Sequence, residues 1–183
     1  MFSLDVKALY PSINPTYLPV AVETALGVVT NFTPDRIQFI VSLVIFNISN
    51  AVTHYRDKWF KALVDLPTGA SDSVCLANIY MRWVMLNFFS IYPAHKKFID
   101  NLWRFIDDQF GGWSGTIRQL RSFIHCFNEY GRRYGVVFDK ERFGNTVNFL
   151  NVSVSNCTGV IVTDLYRKPR DEHRYLHHIS FHP

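Results

Sequence analysis

The stretch Trp103-Arg-Phe-Ile-Asp-Asp-Gln-Phe-Gly-Gly-Trp113 places two adjacent aspartates between two short apolar runs. The runs 103–106 and 110–113 have the composition of β-strands, and the acidic pair between them predicts a hairpin with Asp107 and Asp108 at its tip. Neighbouring carboxylates repel each other. Two explanations therefore stay open: a solvated turn, in which Asp is common, or a site for divalent cations that a third carboxylate completes.

Outward from this hairpin, strand-like and helix-like segments follow one another without a regular βαβ repeat. The first apolar run, Phe2–Val6, predicts a short strand. Thr33-Pro34-Asp35 is typical of a helix start, because Thr caps well and Pro fits the first turn. Further patterns predict helices at 16–29, 34–47, 73–91 and 115–133, a hairpin at 51–64, and strands at 136–138, 147–154 and 160–166, with a turn at 156–159. This order predicts an α+β fold with helices packed on one face of an antiparallel sheet.

A third carboxylate stands in the first strand. Asp5 lies in Phe2-Ser-Leu-Asp-Val-Lys-Ala-Leu-Tyr-Pro-Ser-Ile13, and the aromatic Tyr10 follows it five positions later. Further along come Leu66-Pro-Thr-Gly69, a helix that contains Leu76-Ala-Asn-Ile-Tyr-Met81, and Phe105-Ile-Asp-Asp108. In this order the three segments resemble motifs A, B and C of the palm domain of reverse transcriptases.

The segments after the acidic hairpin narrow this resemblance. They are Asn148-Phe-Leu-Asn-Val152, Thr163-Asp-Leu-Tyr-Arg-Lys-Pro169, Tyr175-Leu-His-His178 and the final His182-Pro183. The series is similar to the region after motif C in reverse transcriptases of Penelope-like retroelements. The resemblance covers essentially the whole chain. It implies one palm domain over residues 1–183, with an RRM-like or ferredoxin-like core, in which 167–183 begins the connection toward a thumb.

The resemblance implies a role for each acidic residue. Asp5, Asp107 and Asp108 match the catalytic aspartates, and the Val6 carbonyl matches an additional metal ligand. Together they would hold two Mg²⁺ ions, with Mn²⁺ as the alternative, which suits the preference of these ions for oxygen ligands and phosphates. The implied activity is RNA-directed DNA polymerisation, in which a nucleotide is transferred to a primer 3′-hydroxyl.

Substrate contacts are implied in the same way. Tyr10 matches the residue that excludes a 2′-hydroxyl, although a core tyrosine explains it equally well. Thr68 and Gly69 match the loop beneath the incoming base, where glycine allows a close backbone approach. Phe149 and Leu150 fall at the primer grip, and Arg167, Lys168, Arg170 and Arg174 would contact phosphates of the primer–template, unless they form a solvated basic surface. The expected partners are therefore an RNA/DNA primer–template and a deoxynucleoside triphosphate.

Composition sets limits on these functions. The net charge is +4, and all of it lies in residues 118–183, a basic flank that weakly indicates a polyanionic partner. No run of about 18 apolar residues is convincing, which argues against a membrane span. The three cysteines are widely spaced and the first residues do not form a signal peptide. We therefore expect reduced thiols and an intracellular protein, nuclear or cytoplasmic rather than secreted.

Two departures from the family support an alternative function. The loop Gly69-Ala-Ser-Asp-Ser-Val74 lacks the family's prolines and adds Asp72. In addition, 183 residues suffice for a palm but not for the fingers and thumb of a complete polymerase, so we expect those domains to be absent and primer extension to be weak. The alternative is a reduced palm that serves as a non-enzymatic RNA-binding module, or one that self-associates through the surfaces that fingers and thumb would cover.

Overall fold

A computed structural model describes residues 1–29, 31–61, 66–67 and 70–168. Two short 3-10 helices are also present. Pro93–Phe98 precedes the strand that begins at Ile99, and Arg132–Tyr134 follows the helix that ends at Gly131. In chain order, the helices and strands are β1 (Phe2–Val6), α1 (Leu9–Ser12), α2 (Leu18–Gly27), α3 (Pro34–Ser49), β2 (Val52–Tyr55), β3 (Lys58–Lys61), α4 (Ser73–Ile91), β4 (Ile99–Phe105), β5 (Asp108–Trp113), α5 (Ile117–Gly131), β6 (Phe138–Phe143), β7 (Thr146–Phe149), β8 (Val152–Cys157) and β9 (Val160–Leu165).

The central sheet has the strand order β4-β5-β1-β6, and all of its neighbouring strands are antiparallel. Its inner strand β1 alternates between apolar and polar side chains. Phe2, Leu4 and Val6 are at most 2% exposed and enter the core, whereas Ser3 and Asp5 alternate with them. Since successive strand residues point to opposite faces, β1 gives the sheet one face that builds the core and one face that presents polar groups.

Helices cover the core face of this sheet. Tyr80, Val84 and Phe88 of α4 are completely buried, and the rings of Phe123 and Phe127 of α5 pack against the Phe88 ring. Helix α5 begins at a capping box. The Thr116 hydroxyl accepts a hydrogen bond from the backbone N–H of Gln119, and the Gln119 side-chain oxygen accepts one from the backbone N–H of Thr116. The prediction of an α+β fold with helices on one face of an antiparallel sheet is confirmed.

Helix α4 is also long and apolar enough to cross a membrane by length and composition, with 19 residues and a mean hydropathy of 1.3. The sequence analysis found no convincing run of this kind, and α4 qualifies. Its apolar character has a second explanation in this fold, because Ala77, Tyr80, Met81, Val84 and Phe88 form the centre of the core. The same composition is typical of the central helix of an α+β domain.

The last strands differ from the prediction. A single strand was expected at 147–154, but the chain reverses there, and β7 and β8 pair with Phe149 opposite Val152. Leu150, the first residue of the two-residue turn, has a φ of +55°. A reversal of this kind usually carries glycine or asparagine at that position, and Leu150 therefore gave no turn signal there. The expected turn at 156–159 is present, and β7, β8 and β9 form a separate three-stranded sheet.

Gly135, which lies shortly after α5, packs closely against the end of α1. Its φ is +74°, and a Cβ atom at this position would lie 1.8 Å from the Ser12 carbonyl oxygen. Only glycine fits such a contact, for steric and conformational reasons. The segment after it continues this contact, because the Lys7 amide donates to the Val137 carbonyl at 2.8 Å. The loop that follows Asp5 is therefore held against the entry to β6.

Candidate active site

The acidic hairpin is tight and strained. Phe105 pairs with Asp108, so the turn between β4 and β5 contains only Ile106 and Asp107. Ile106 has a φ of +54°, a value that a β-branched residue rarely adopts. A positive φ at the first of two central residues is the feature of a type II′ turn. Such a conformation costs about 1–3 kcal/mol and persists where the surrounding structure holds it.

Asp5 lies directly opposite Asp108 in the antiparallel pair of β1 and β5. The hydrogen bond next to this pair joins the neighbouring residues: the Val6 amide donates to the Asp107 carbonyl at 3.2 Å. Asp5 and Asp108 therefore form a non-hydrogen-bonded pair. In such a pair the Cα atoms are about 4.5 Å apart and both side chains leave the same face of the sheet. The backbone thus brings Asp5 and Asp108 to one end of the open face, while Asp107 precedes Asp108 in the turn and does not line the cavity in front of that pair.

We tested whether these residues suit a divalent cation. Their carboxylate oxygens are the ligands that Mg²⁺ and Mn²⁺ prefer, and their register places them together. Across residues 1–29, 31–61, 66–67 and 70–168, however, no three His, Cys, Asp or Glu side chains are grouped so that they could hold a metal ion. The Val6 side chain is buried, so only its backbone is available. The donor chemistry fits, while the side chains would have to rotate to form a common ligand set.

A cavity of about 600 Å³ opens in front of the paired aspartates. Its walls come from the polar face of the central sheet, from the β7–β8 turn and from the segment after β9. The lining residues are Ser3, Leu4, Asp5, Asp108, Arg142, Asn148, Phe149, Leu150, Tyr166 and Lys168. Five residues that the sequence analysis selected, from distant parts of the chain, therefore share one cavity: Asp5, Asp108, Phe149, Leu150 and Lys168.

Other selected residues either do not line this cavity or lie outside the described residues. Tyr10 is half-buried in α1, and its carbonyl accepts a hydrogen bond from the Leu66 amide at 3.3 Å. This contact brings Tyr10 close to the chain that leads into the predicted motif B loop. Arg167 is exposed and precedes the cavity residue Lys168. Thr68, Gly69, Arg170 and Arg174 lie outside the described residues.

Aromatic side chains extend the open face away from the carboxylates. Trp103 pairs with Phe110 across β4 and β5, and their rings stack at 5.6 Å. Phe110 also contacts Phe149, with the ring centroids 5.6 Å apart. Phe105 lies on the same face, opposite Asp108, and is largely exposed. The contact between Phe110 and Phe149 connects the two sheets and positions the β7–β8 turn over the cavity.

Two residues that the sequence analysis missed contribute to this site. Arg142 lines the cavity because it pairs with Ser3 on the polar face of β1, which the alternation of β6 would have indicated. Arg104 donates to the Asn78 side chain at 2.5 Å, to the Asn78 carbonyl at 3.1 Å and to the Ile106 carbonyl at 2.9 Å. No local pattern signals Arg104, because its partner lies on α4.

Arg104 is partly buried, and burial is the main cause that lowers the pKa of its guanidinium, with the nearby Arg82 cation as the second. It remains charged, since an arginine does not lose its proton in a protein. Its three hydrogen bonds therefore compensate for partial desolvation. They also fasten the strained turn at Ile106 to α4, and with it the position of Asp107 and Asp108.

Solved structures share this architecture. The chain is similar to apo telomerase from Candida tropicalis, with a TM-score of 0.67 and 15% identity over 89% of this chain and 32% of that one. It is also similar to the same telomerase truncated from its C-terminal domain, with a TM-score of 0.65 and 16% identity over 89% and 35%. The chain thus spans about a third of the length of these structures. No protein-family model matches it, and no curated protein matches it by sequence. At this identity the likeness shows the fold alone, and the chain has a reverse-transcriptase-like α+β fold of the palm type.

Proposed function

We propose that this chain is the palm of an RNA-directed DNA polymerase that transfers nucleotides to a primer 3′-hydroxyl. One observation carries the proposal: Asp5 and Asp108 face each other, with Asp107 adjacent, at the mouth of a cavity in a reverse-transcriptase-like sheet. The resemblance to Penelope-like retroelements supports the finer assignment. In this proposal residues 1–183 are the palm part of the enzyme, 167–183 lead toward a thumb, and the enzyme acts in the nucleus or cytoplasm.

In the proposed reaction Asp5, Asp107 and Asp108 bind two Mg²⁺ ions, or Mn²⁺, with the Val6 carbonyl as a further ligand. Divalent ions of this kind activate an attacking oxygen and neutralise the charge on phosphates. The other residues bind and orient the substrates. Tyr10 excludes a 2′-hydroxyl, and Thr68 and Gly69 support the incoming deoxynucleotide.

The primer–template is held by the remaining residues of the proposed site. Phe149 and Leu150 hold the primer end, while Arg142 and Lys168 in the cavity attract its phosphates. Arg167, Arg170 and Arg174 contact the nucleic acid beyond the cavity. Since phosphoryl transfer depends mainly on positioning, we expect slow extension by the isolated chain.

The test is extension of a DNA primer on an RNA template, together with Mn²⁺ binding followed by electron paramagnetic resonance. We expect slow, Mg²⁺-dependent extension and a bound Mn²⁺ signal, both lost in the double variant Asp107→Asn/Asp108→Asn. Asp100→Asn is the matched control, because Asp100 is an exposed carboxylate on β4 of the same hairpin. Equal extension and equal Mn²⁺ binding by the native chain and the double variant would refute the proposal.

A second candidate function has one observation in its favour. Phe39, Leu43 and Phe46 form an exposed apolar stripe at i, i+4 and i+7 on α3. A stripe of this kind is typical of an interaction surface. The chain would then be a non-enzymatic module that self-associates, or that binds RNA. Sedimentation of the native chain and of Phe39→Ser/Phe46→Ser distinguishes this function: a monomer in both cases counts against self-association.

A further inference from the structure

The hairpin of β2 and β3 differs from every other pair of strands in the described ranges. All eight of its strand residues are exposed, and its two strands form a sheet of their own. An isolated two-stranded hairpin is marginally stable in water. This hairpin nevertheless carries large aromatic side chains, so its composition requires an explanation other than core packing.

Aromatic rings are exposed on both faces of the hairpin. Trp59 is 70% exposed, Tyr55 62% and Phe60 51%. Cross-strand register pairs His54 with Trp59 and Tyr55 with Lys58. Because adjacent cross-strand pairs alternate between faces, Trp59 lies on one face while Tyr55 and Phe60 lie on the other. The His54 and Trp59 rings are 4.7 Å apart, and this contact pre-orders the Trp59 ring.

Cations accompany these rings. The hairpin carries Arg56, Lys58 and Lys61 against the single acid Asp57, an excess of two positive charges (three minus one). The Arg56 guanidinium lies 5.3 Å from the centroid of the Tyr55 ring, which orients both groups. Exposed rings with adjacent cations are the features that bind the bases and the backbone of single-stranded nucleic acid. A duplex would not use the rings, since its bases are already stacked.

The base of the hairpin is connected to the segment that follows Asp5. A cavity of about 280 Å³ at its base is lined by Asn50, Val52 and Leu66, among others. The Leu66 amide is hydrogen-bonded to the Tyr10 carbonyl. A strand bound to the hairpin would therefore approach the segment that contains Tyr10, the proposed sugar-selecting residue. From charge, ring exposure and position together we infer that the β2–β3 hairpin is a binding platform for single-stranded nucleic acid.

This inference adds a strand-binding surface to the proposed function, and its test must not depend on catalysis. Binding is therefore measured in the Asp107→Asn/Asp108→Asn background. The probes are a fluorescein-labelled oligouridylate of about 12 nucleotides, within the range of single-strand site sizes, and an abasic oligomer of equal length. If primer extension fails, the binding measurement is still valid. If oligonucleotide binding fails, the proposed metal site is still tested separately by primer extension and Mn²⁺ binding.

Removing the ring and removing the cations have different expected effects. Trp59→Ala is expected to weaken oligouridylate binding about tenfold, the value of one stacked base, and to leave binding of the abasic oligomer unchanged. Lys58→Ala/Lys61→Ala is expected to weaken binding of both probes and to reduce the salt slope by about 1.4, since each phosphate contact on a single strand contributes about 0.7. Circular dichroism of each variant verifies that the fold is retained.

The matched control is Leu86→Ala, because Leu86 is a large apolar residue that is 58% exposed on α4 and belongs to neither the hairpin nor the catalytic cavity. Native affinity in this control, with the two hairpin effects above, supports the inference. Three results would overturn it. They are equal oligouridylate affinity with and without Trp59, an equal loss in Leu86→Ala, and hairpin variants that change the sedimentation of the chain while neither probe binds, which would make the hairpin a protein interface.

Discussion

The side chain of Arg104 on β4 binds Asn78 of α4 twice, through the side-chain amide oxygen at 2.5 Å and through the backbone carbonyl at 3.1 Å. The same guanidinium donates to the Ile106 carbonyl at 2.9 Å. A helix on the core side of the sheet thereby holds the turn that contains Asp107 and leads into Asp108 on the open side. The strained φ of Ile106 persists because this contact and the packing around it fix the turn.

Removing the amide partner of Arg104 should destabilise the fold. In Asn78→Ala the partly buried guanidinium loses a charge-assisted hydrogen bond, and we expect the free energy of unfolding to fall by about 2 kcal/mol. Urea denaturation measures this change. Arg82→Ala is the control on the same helix: it removes an exposed cation whose proximity lowers the pKa of Arg104, and it should be neutral or slightly stabilising. Native stability in Asn78→Ala would contradict the role of Arg104 as an anchor.

The core position next to Asp108 contains an unusual residue. Gln109 is 1% exposed, and within the described part of the chain its side-chain amide nitrogen has no hydrogen-bond partner. A buried unsatisfied amide costs about 1–3 kcal/mol, so Gln109→Met, which has a similar volume and no polar group, should raise the free energy of unfolding by about 1 kcal/mol. Chemical denaturation tests this. Leu4→Met on the neighbouring strand is the control for the effect of placing a methionine in this part of the core. A loss of stability in Gln109→Met would show that the amide is satisfied in solution.

The sequence predicted those elements whose signals are local. The acidic hairpin, the Thr33 cap and the apolar helix at 73–91 each follow from residues a few positions apart. The proximity of Asp5 and Asp108 does not, because it depends on pairing between strands about 100 residues apart, and only the resemblance to a family suggested it. The β7–β8 turn was missed because Leu150 takes a positive φ without a residue that usually marks one.

The role of Arg104 could not be predicted for a similar reason. In the sequence it is an ordinary charged residue between two aromatic neighbours of a strand. Its partner Asn78 is 26 positions away on a helix that packs against the sheet. The choice of partner depends on tertiary packing, which no periodic pattern records.

The cations of the cavity should govern the salt dependence of nucleic-acid binding. Arg142 and Lys168 both line the cavity with Asp5 and Asp108. For Arg142→Ala/Lys168→Ala we expect weaker binding of a primer–template and a salt slope reduced by about 1.4 to 1.8, for two phosphate contacts. Fluorescence anisotropy between 50 and 200 mM salt, roughly the range in which such contacts dominate affinity, measures the slope. Lys96→Ala/Arg118→Ala, two exposed cations away from the cavity, should leave it unchanged, and equal slopes in both double variants would refute this role.

Stability should fall in mildly acidic solution because of His95. Burial lowers the pKa of this imidazole below its ordinary value of 6.5, and its ring lies against Phe88 and Phe123. Below pH 6.5 the unfolded chain therefore binds a proton more readily than the folded chain. The contribution of neutral His95 to the free energy of unfolding is complete above pH 6.5, and it is lost as the pH falls through the lowered pKa of His95. Urea denaturation at several pH values should show this decline, and His95→Gln should reduce it; an unchanged decline would assign it to other groups.

The last prediction concerns the choice of sugar. Tyr10 is half-buried in α1 beside the entry to the motif B segment, where the proposed function requires a ring that excludes the 2′-hydroxyl. Tyr10→Ala removes that ring, so incorporation of ribonucleotides relative to deoxynucleotides should rise by at least tenfold, which corresponds to about 1.4 kcal/mol of discrimination. Single-nucleotide extension with matched triphosphates measures the ratio. Tyr10→Phe retains the ring and should retain native selectivity, because exclusion is steric and does not need the hydroxyl group. If Tyr10→Ala leaves the ratio unchanged while extension continues, Tyr10 is a packing residue of the core, and selection against ribonucleotides must reside in other residues.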